Sequence, residues 1–290
     1  MSRNFLSEIV ARKRQVMEGL RANSPVDALH AQALEVRKNA AAHRLRQALG
    51  SASPAVKIIA EFKRASPSGG AIRSDLSPVD VARHYGRGGA CAISVLTDED
   101  YFDGSLDDLS AVRSSSHLPV LRKDFIIDPI QIYEAAIAGA DAILLIVAAL
   151  DAASLAKLLN LAEDELGLDA LIEVHTSDEL RRALNAGAKI IGVNNRDLQT
   201  LEVSPSTSER LIAEAPKDSI MISESGLESA ESLCHLRRLG FRGFLIGEAL
   251  MRAGDPETAL RDLIAAAEDR SATGGIRRDE QAAQTGARQS

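Results

Sequence analysis

Eight short runs rich in Ile, Val and Leu, at 57–63, 91–96, 120–125, 142–147, 170–174, 190–194, 220–224 and 244–247, punctuate the chain and alternate with longer amphipathic stretches. They recur at intervals of roughly twenty to thirty-five residues, the length one strand–helix unit requires. The spacing predicts helices near 79–87, 106–115, 129–138, 152–166, 177–186, 206–214, 229–239 and 256–268. Strands separated by crossover helices lie parallel, and eight such units close into a single (β/α)8 barrel. An open doubly wound sheet is disfavoured, because no glycine-rich dinucleotide fingerprint follows the first run and the repeat continues to eight.

Residues 1–50 hold no strand pattern. Phe5, Ile9, Val16 and Leu20 recur at helical spacing, and Ser24-Pro25 can open a second helix running toward Leu49. The expected organisation is a helical extension over 1–50 packed on the barrel, the barrel at 51–270 and a disordered tail over 271–290, which is poor in apolar side chains. In 290 residues, 45% hydrophobic and 26% charged, a sizeable core fits easily. A net charge of −7 disfavours nonspecific attraction to nucleic acid or to an anionic membrane, so an anionic ligand must be held by a local site. Cys91 and Cys234 are too few for a disulfide framework. The N-terminus lacks the apolar stretch of a signal peptide, which points to the cytoplasm.

In a barrel the chemistry sits at the C-terminal ends of the strands. Ile59, Glu61 and Lys63 share one face of the first run, and Ile58, Ala60 and Phe62 the other. If the apolar face meets the helices, Glu61 and Lys63 point into the mouth. The same parity brings Lys123 and Phe125, Glu173, and Asn194 with Arg196 to the mouth from three further strands. A single lysine there is usually a solvated rim residue, but Glu61, Lys63, Lys123, Glu173 and Asn194 together form a convergent set. Burial is expected to weaken the basicity of the lysines and the acidity of the glutamates, so that protons move readily. The six histidines show no metal-binding spacing, and His175 beside Glu173 reads as a supporting residue rather than a ligand. Ser225-Gly226 and Gly247 end the last two strands, where barrels often hold a phosphate on backbone N–H groups. Ser66-Pro67-Ser68-Gly69-Gly70 forms a hydroxyl-rich loop after the first strand.

Taken with their neighbours, these residues resemble a known family. The segments Ile59-Ala60-Glu61-Phe62-Lys63-Arg64-Ala65-Ser66-Pro67-Ser68-Gly69, Leu121-Arg122-Lys123-Asp124-Phe125, Ile172-Glu173-Val174-His175 and Gly192-Val193-Asn194-Asn195-Arg196-Asp197-Leu198 carry the likeness. With Ser223-Glu224-Ser225-Gly226 and Leu245-Ile246-Gly247-Glu248 they resemble indole-3-glycerol-phosphate synthases across most of residues 1–268. The resemblance implies ring closure of 1-(2-carboxyphenylamino)-1-deoxyribulose 5-phosphate to indole-3-glycerol phosphate, with loss of carbon dioxide and water and without metal or cofactor. It makes Lys123 the general acid, with Glu173 assisting proton removal and loss of the hydroxyl that Glu61 and Asn194 orient. Lys63 would contact the substrate carboxylate and stand as a second acid. Phe125, Arg196, Ser225, Ser66, Pro67 and Ser68 would bind substrate, the last three from a mobile loop. Gly226, Gly247 and the backbone of Glu248 would hold the phosphate, with the Glu248 side chain turned away from it. The extension would pack over the mouth. The only partner implied is the small phosphorylated substrate, for a monomer with at most weak association with other tryptophan-pathway enzymes. A second barrel, as in fusions to the neighbouring isomerase, does not fit the length.

Two other readings stand beside this one. A Schiff-base aldolase would use Lys123 as the nucleophile on a sugar-phosphate carbonyl. A catalytically silent barrel would merely bind a phosphorylated metabolite, a role that does not need Lys63, Lys123 and Glu173 together.

Overall fold

A computed structural model describes residues 5–51, 55–67, 69–73 and 75–270. The expected tail and the Ser68 contact lie outside the described residues.

The eight barrel strands are β1 (Ile58–Phe62), β2 (Ala92–Leu96), β3 (Val120–Lys123), β4 (Ala142–Ile146), β5 (Asp169–Val174), β6 (Ile190–Asn194), β7 (Ile220–Glu224) and β8 (Gly243–Ile246). They pair in chain order, each parallel to the next, and β8 closes on β1. The pleat divides their side chains between two cores. Ile58, Ala60 and Phe62 face outward and pack with the surrounding helices. Ile59, Leu121, Leu144, Leu171, Ile190, Ile222 and Leu245 fill the barrel. Continuing that inward parity by two residues brings Glu61, Lys123, Glu173 and Glu224 to the mouth.

The helices that return the chain begin on side-chain caps. Ser77 accepts from Asp80 N–H at 3.2 Å, Ser105 from Asp108 N–H at 3.1 Å and Asp151 from Ser154 N–H at 2.7 Å. Thr176 accepts from Glu179 N–H and Ser229 from Ser232 N–H, each at 3.2 Å. A cap satisfies an N–H that no helical carbonyl reaches, so each loop turns into its helix at a fixed residue.

The extension is three helices, α1 (Phe5–Asn23), α2 (Val26–Arg37) and α3 (Arg44–Gly50). α1 lies across the mouth, where Lys13 Nζ sits 2.9 Å from Asp98 and 2.7 Å from Asp124. The Phe5 ring meets Tyr101 edge-on, 5.3 Å between centroids. α2 runs beside the helix Pro129–Ile137, and Arg37 at its end donates to the carbonyls of Leu166 at 2.9 Å and Gly167 at 3.1 Å. α3 plugs the opposite end. Leu45 and Leu49 join the interior cluster, and Arg46 N–H donates to Asp169, the first residue of β5, at 2.9 Å.

One expected helix from Pro25 toward Leu49 is therefore two, broken between Arg37 and the left-handed His43. A straight helix of that length would span about 36 Å and carry Leu45 and Leu49 past the barrel floor. The turn aims them into it. β3 also stops two residues earlier than the apolar run suggests. The buried Asp124 carboxylate accepts from Phe125 N–H at 2.8 Å and Thr97 Oγ1 at 2.7 Å, which bends the chain out of the sheet. The helix expected over 152–166 is regular only across Ala152–Asn160 and finishes in a wider turn, Leu161–Glu165.

Leu45 is completely buried beneath the barrel. Leu45→Ala is expected to lower the unfolding free energy by about 2–5 kcal/mol, the range for emptying such a site. Denaturant unfolding measures this, and an unchanged midpoint would show that α3 does not seal the floor.

Candidate active site

A cleft of about 280 Å3 opens at the C-terminal ends of the strands. Glu61, Lys63, Lys123, Glu173 and Asn194 all line it, as do Ser66, Pro67, Phe125, Arg196, Ser225, Gly226, Gly247 and Glu248. Phe5 from α1 and Leu198, Leu201 and Val203 from the loop after β6 supply much of its apolar wall.

Lys123 forms the centre of the charge network. Its Nζ donates to Glu173 Oε2 at 3.1 Å and lies 3.5 Å from Glu224 Oε2. The side chains of Glu173 and Glu224 are only 1% and 2% exposed, so little water screens these pairs. Lys63 Nζ lies 3.0 Å from Glu61 Oε1, a second pair beside the first. The Asn194 carbonyl oxygen accepts from Ser225 Oγ at 2.8 Å and from Arg196 N–H at 3.0 Å. The Arg196 guanidinium donates to Leu201 O at 2.9 Å, bracing the loop after β6.

The expected weakening of acids and bases by burial is corrected here. Burial alone favours a neutral Lys123, but the Glu173, Glu224 and Glu61 carboxylates outweigh it and push its pKa above the ordinary lysine range. Burial likewise raises Glu173, yet Lys123, His175 and Asn194 together hold its carboxyl below the usual range. The group that yields is Glu224, raised to about 7 by burial and by the neighbouring Glu173 and Glu61 charges, with Lys123 opposing. Two carboxylates against one ammonium cannot both ionise freely, and Glu173, with the shorter contact to Lys123 and the His175 ring nearby, keeps the charge.

Glu224 is the site residue that the strand-end reading did not assign. The available signal was its parity with Ile222, which faces the barrel interior. Space for these carboxylates comes from missing side chains. A Cβ on Gly192 would stand 2.0 Å from Glu224 Oε1, and one on Gly247 would stand 2.5 Å from Glu61 Oε1. Ser225 and Gly226 are both left-handed, at φ 67° and 70°. Gly247 leads into a short helix, Glu248–Arg252, whose first N–H groups lack helical partners. The Glu248 carboxylate is held by Arg252, with the guanidinium Nε at 3.0 Å. The loop after β1 folds as a small hairpin, Ala65–Ser66 against Gly70–Ala71, in which Ser66 Oγ accepts from Gly69 N–H at 3.0 Å. Among the described residues no group of three or more His, Cys, Asp or Glu is placed to hold a metal ion, and no helix is long and apolar enough to cross a membrane.

A parallel barrel with two lysines and three buried carboxylates converging at its mouth defines an enzyme of the general acid–base class. The chain belongs to the indole-3-glycerol phosphate synthase family, whose model matches residues 6–263. It is 46% identical over 265 residues to the indole-3-glycerol phosphate synthase of Carboxydothermus hydrogenoformans, covering 90% of this chain and all of that one. The enzyme of the same name from Desulfosudis oleivorans is 45% identical over 262 residues, covering 90% of this chain and 98% of that one. Among solved structures, thiamine phosphate pyrophosphorylase from Pyrococcus furiosus superposes with a TM-score of 0.58 at 16% identity, over 78% of this chain and 98% of that one. At that identity the likeness is one of fold.

The raised Glu224 makes stability depend on pH. Between the ordinary glutamate value near 4.5 and about 7 the folded protein holds a proton that the unfolded chain has released, so this group's contribution falls as pH rises through that window. Glu224→Gln removes the effect. Denaturant unfolding at a series of pH values is expected to show the variant gaining on the parent protein as pH rises from 5 to 8. A pH-independent difference would contradict the assignment.

Proposed function

We propose that the protein is an indole-3-glycerol-phosphate synthase that converts 1-(2-carboxyphenylamino)-1-deoxyribulose 5-phosphate to indole-3-glycerol phosphate, carbon dioxide and water. The observation that carries this reading is Lys123 buried against two glutamates, Glu173 at 3.1 Å and Glu224 at 3.5 Å, at the mouth of a barrel of this family.

The reaction needs an acid at a ketone oxygen, and the paired carboxylates favour the charged form of Lys123 that can serve as one. As the carboxylate-bearing ring carbon bonds to the ketone carbon, the ketone oxygen takes the Lys123 proton and becomes a hydroxyl. The bond to the carboxylate then breaks, carbon dioxide leaves, and its electron pair restores the aromatic ring. The hydroxyl departs as water with a proton given by Lys63 as the second acid, while Glu173 takes the proton whose loss completes the indole. Glu61 and Asn194 orient that hydroxyl. Lys63 meets the substrate carboxylate, and its Glu61 partner keeps it close to the cleft at 3.0 Å. Phe125 and the apolar wall cover the aromatic ring, while Arg196, Ser225, Ser66 and Pro67 fix its polar groups. The N–H groups around Gly226, Gly247 and Glu248 receive the phosphate, for which the left-handed Gly226 and the start of the helix at Glu248 are suited. The Glu248 carboxylate is neutralised by Arg252 at 2.9 Å rather than left to repel the anion. The reaction uses no metal or cofactor and takes place in the cytoplasm.

A Schiff-base mechanism needs a neutral amine at Lys123, the form that the surrounding carboxylates disfavour.

Purified protein is expected to turn over the carboxyphenylamino substrate in the presence of chelator, followed by indole absorbance. Lys123→Ala is expected to lower kcat by about 10²–10⁴ without loss of fold. An undiminished rate in that variant, or dependence on added metal, would overturn the mechanism.

A further inference from the structure

Glu173 is held firmly on one side only. Its Oε2 accepts from Lys123 at 3.1 Å, while its Oε1 is buried with no hydrogen-bond partner among the described residues. Facing Oε1 at 3.6 Å is His175 Nε2, likewise buried and without a hydrogen-bond partner among those residues. His175 lies two residues beyond Glu173, so the alternation of the chain returns its side chain to the same side. Its other ring nitrogen, Nδ1, is 3.3 Å from Glu179 Oε2, and that oxygen also accepts from His175 N–H at 2.8 Å. Glu179 is fixed in the first turn of the helix Ser177–Asn185, where its own N–H donates to the Thr176 cap.

Each ring nitrogen therefore faces a carboxylate oxygen. A neutral imidazole has one N–H and one lone pair, so either tautomer would turn a lone pair toward an anion. Only the imidazolium donates in both directions. We propose that His175, clamped by Glu179, is a positioning residue that holds the second oxygen of Glu173 and keeps that carboxylate ionised while Lys123 gives its proton to the substrate. The proposal rests on the acid–base reading of Lys123 and Glu173 given above. When Lys123 donates its proton, a carboxylate with almost no solvent exposure loses its principal counter-charge and would take up a proton early. His175 supplies a cation that the reaction does not consume.

The groups around the ring support its charge. Glu173 on β5, Glu179 on its own helix and Glu224 on β7 all favour the protonated form, against burial, which opposes it. Asp197 from the loop after β6 also feels the ring, and the one cation from the neighbouring helix, Arg210, donates to the His175 carbonyl at 3.4 Å. The result is a pKa above the ordinary histidine value, so the imidazolium is kept to higher pH than in a free histidine and is lost as pH rises through that higher midpoint.

The test combines a titration with kinetics. Ring-labelled histidine NMR of the whole protein is expected to show a His175 midpoint above about 6.5, falling by about one unit in Glu173→Gln. An unchanged midpoint in that variant would overturn the coupling. In His175→Ala, kcat is expected to fall about 10-fold with a smaller change in KM, as for loss of a close counter-charge that shifts Glu173 by about one pKa unit. The acid limb of its kcat–pH profile should move up by about one unit, since Glu173 loses a cation. His175→Gln, which keeps a donor but not the charge, should recover part of kcat while retaining the displaced limb. A folded His175→Ala with parental kcat and an unmoved limb, or with KM alone changed, would refute the proposal. Should that variant fail to fold, His175→Gln and the Glu173→Gln titration decide the matter. The titration needs no substrate, so absence of turnover in the parent protein would refute the proposed function while leaving this coupling testable.

Discussion

An ammonium buried between two carboxylates at the mouth of a barrel is the interaction around which this molecule is arranged. Lys123 comes from β3, Glu173 from β5 and Glu224 from β7, so the contact ties together strands that do not neighbour one another in the sheet. Burying three charges so deeply is costly, and the cost falls only if each finds a partner at hydrogen-bonding distance. The set is unequal, one ammonium against two carboxylates, and this leaves Glu224 as the group whose proton is least firmly decided. The pairing favours an ammonium that keeps its proton beside a carboxylate that keeps its charge, against what burial alone would do.

The rest of the fold serves to hold that geometry. Alternating inward and outward side chains place the strand-end groups on a floor of Ile, Leu and Ala that fills the barrel. Glycine at 192 and 247 leaves room for the Glu224 and Glu61 carboxylates, which any Cβ would strike. The extension clasps the barrel at both ends. Lys13 of α1 is bonded to Asp98 and Asp124 beside the site, while Leu45 and Leu49 of α3 close the floor. Asp124 sits between these roles, because it bends the chain just after Lys123 and also receives Arg122 at 3.1 Å. The Lys13–Asp124 ion pair thereby ties α1 to the residue adjoining Lys123.

Much of this was legible in the sequence. Eight apolar runs at βα spacing specify a closed parallel barrel, and period-two alternation sends Glu61, Lys123, Glu173 and Asn194 to one mouth. Local pattern did not reveal the break at His43, because what turns the chain there is the position of the barrel floor. Elements as short as Glu99–Phe102 or the Ala65–Ser66 hairpin are too brief to show a period. The protonation states were also hidden. Burial of a lysine or a glutamate suggests a shift in one direction, and only the distances from Lys123 to Glu173 and Glu224 reveal that pairing reverses it. What distinguishes His175 is tertiary, since both of its ring nitrogens face carboxylates.

The most direct measurement of the central claim is the titration of the Lys123 ammonium itself, followed by NMR on lysine-labelled protein and assigned by its disappearance in a Lys123 variant. Carboxylate pairing requires Lys123 to remain charged through the ordinary lysine value of about 10.4, and to become easier to deprotonate when Glu173 and Glu224 are both changed to glutamine. A Lys123 that lost its proton well below that value in the intact protein would mean that desolvation governs the site, and the acid assigned to this reaction would have to be sought elsewhere.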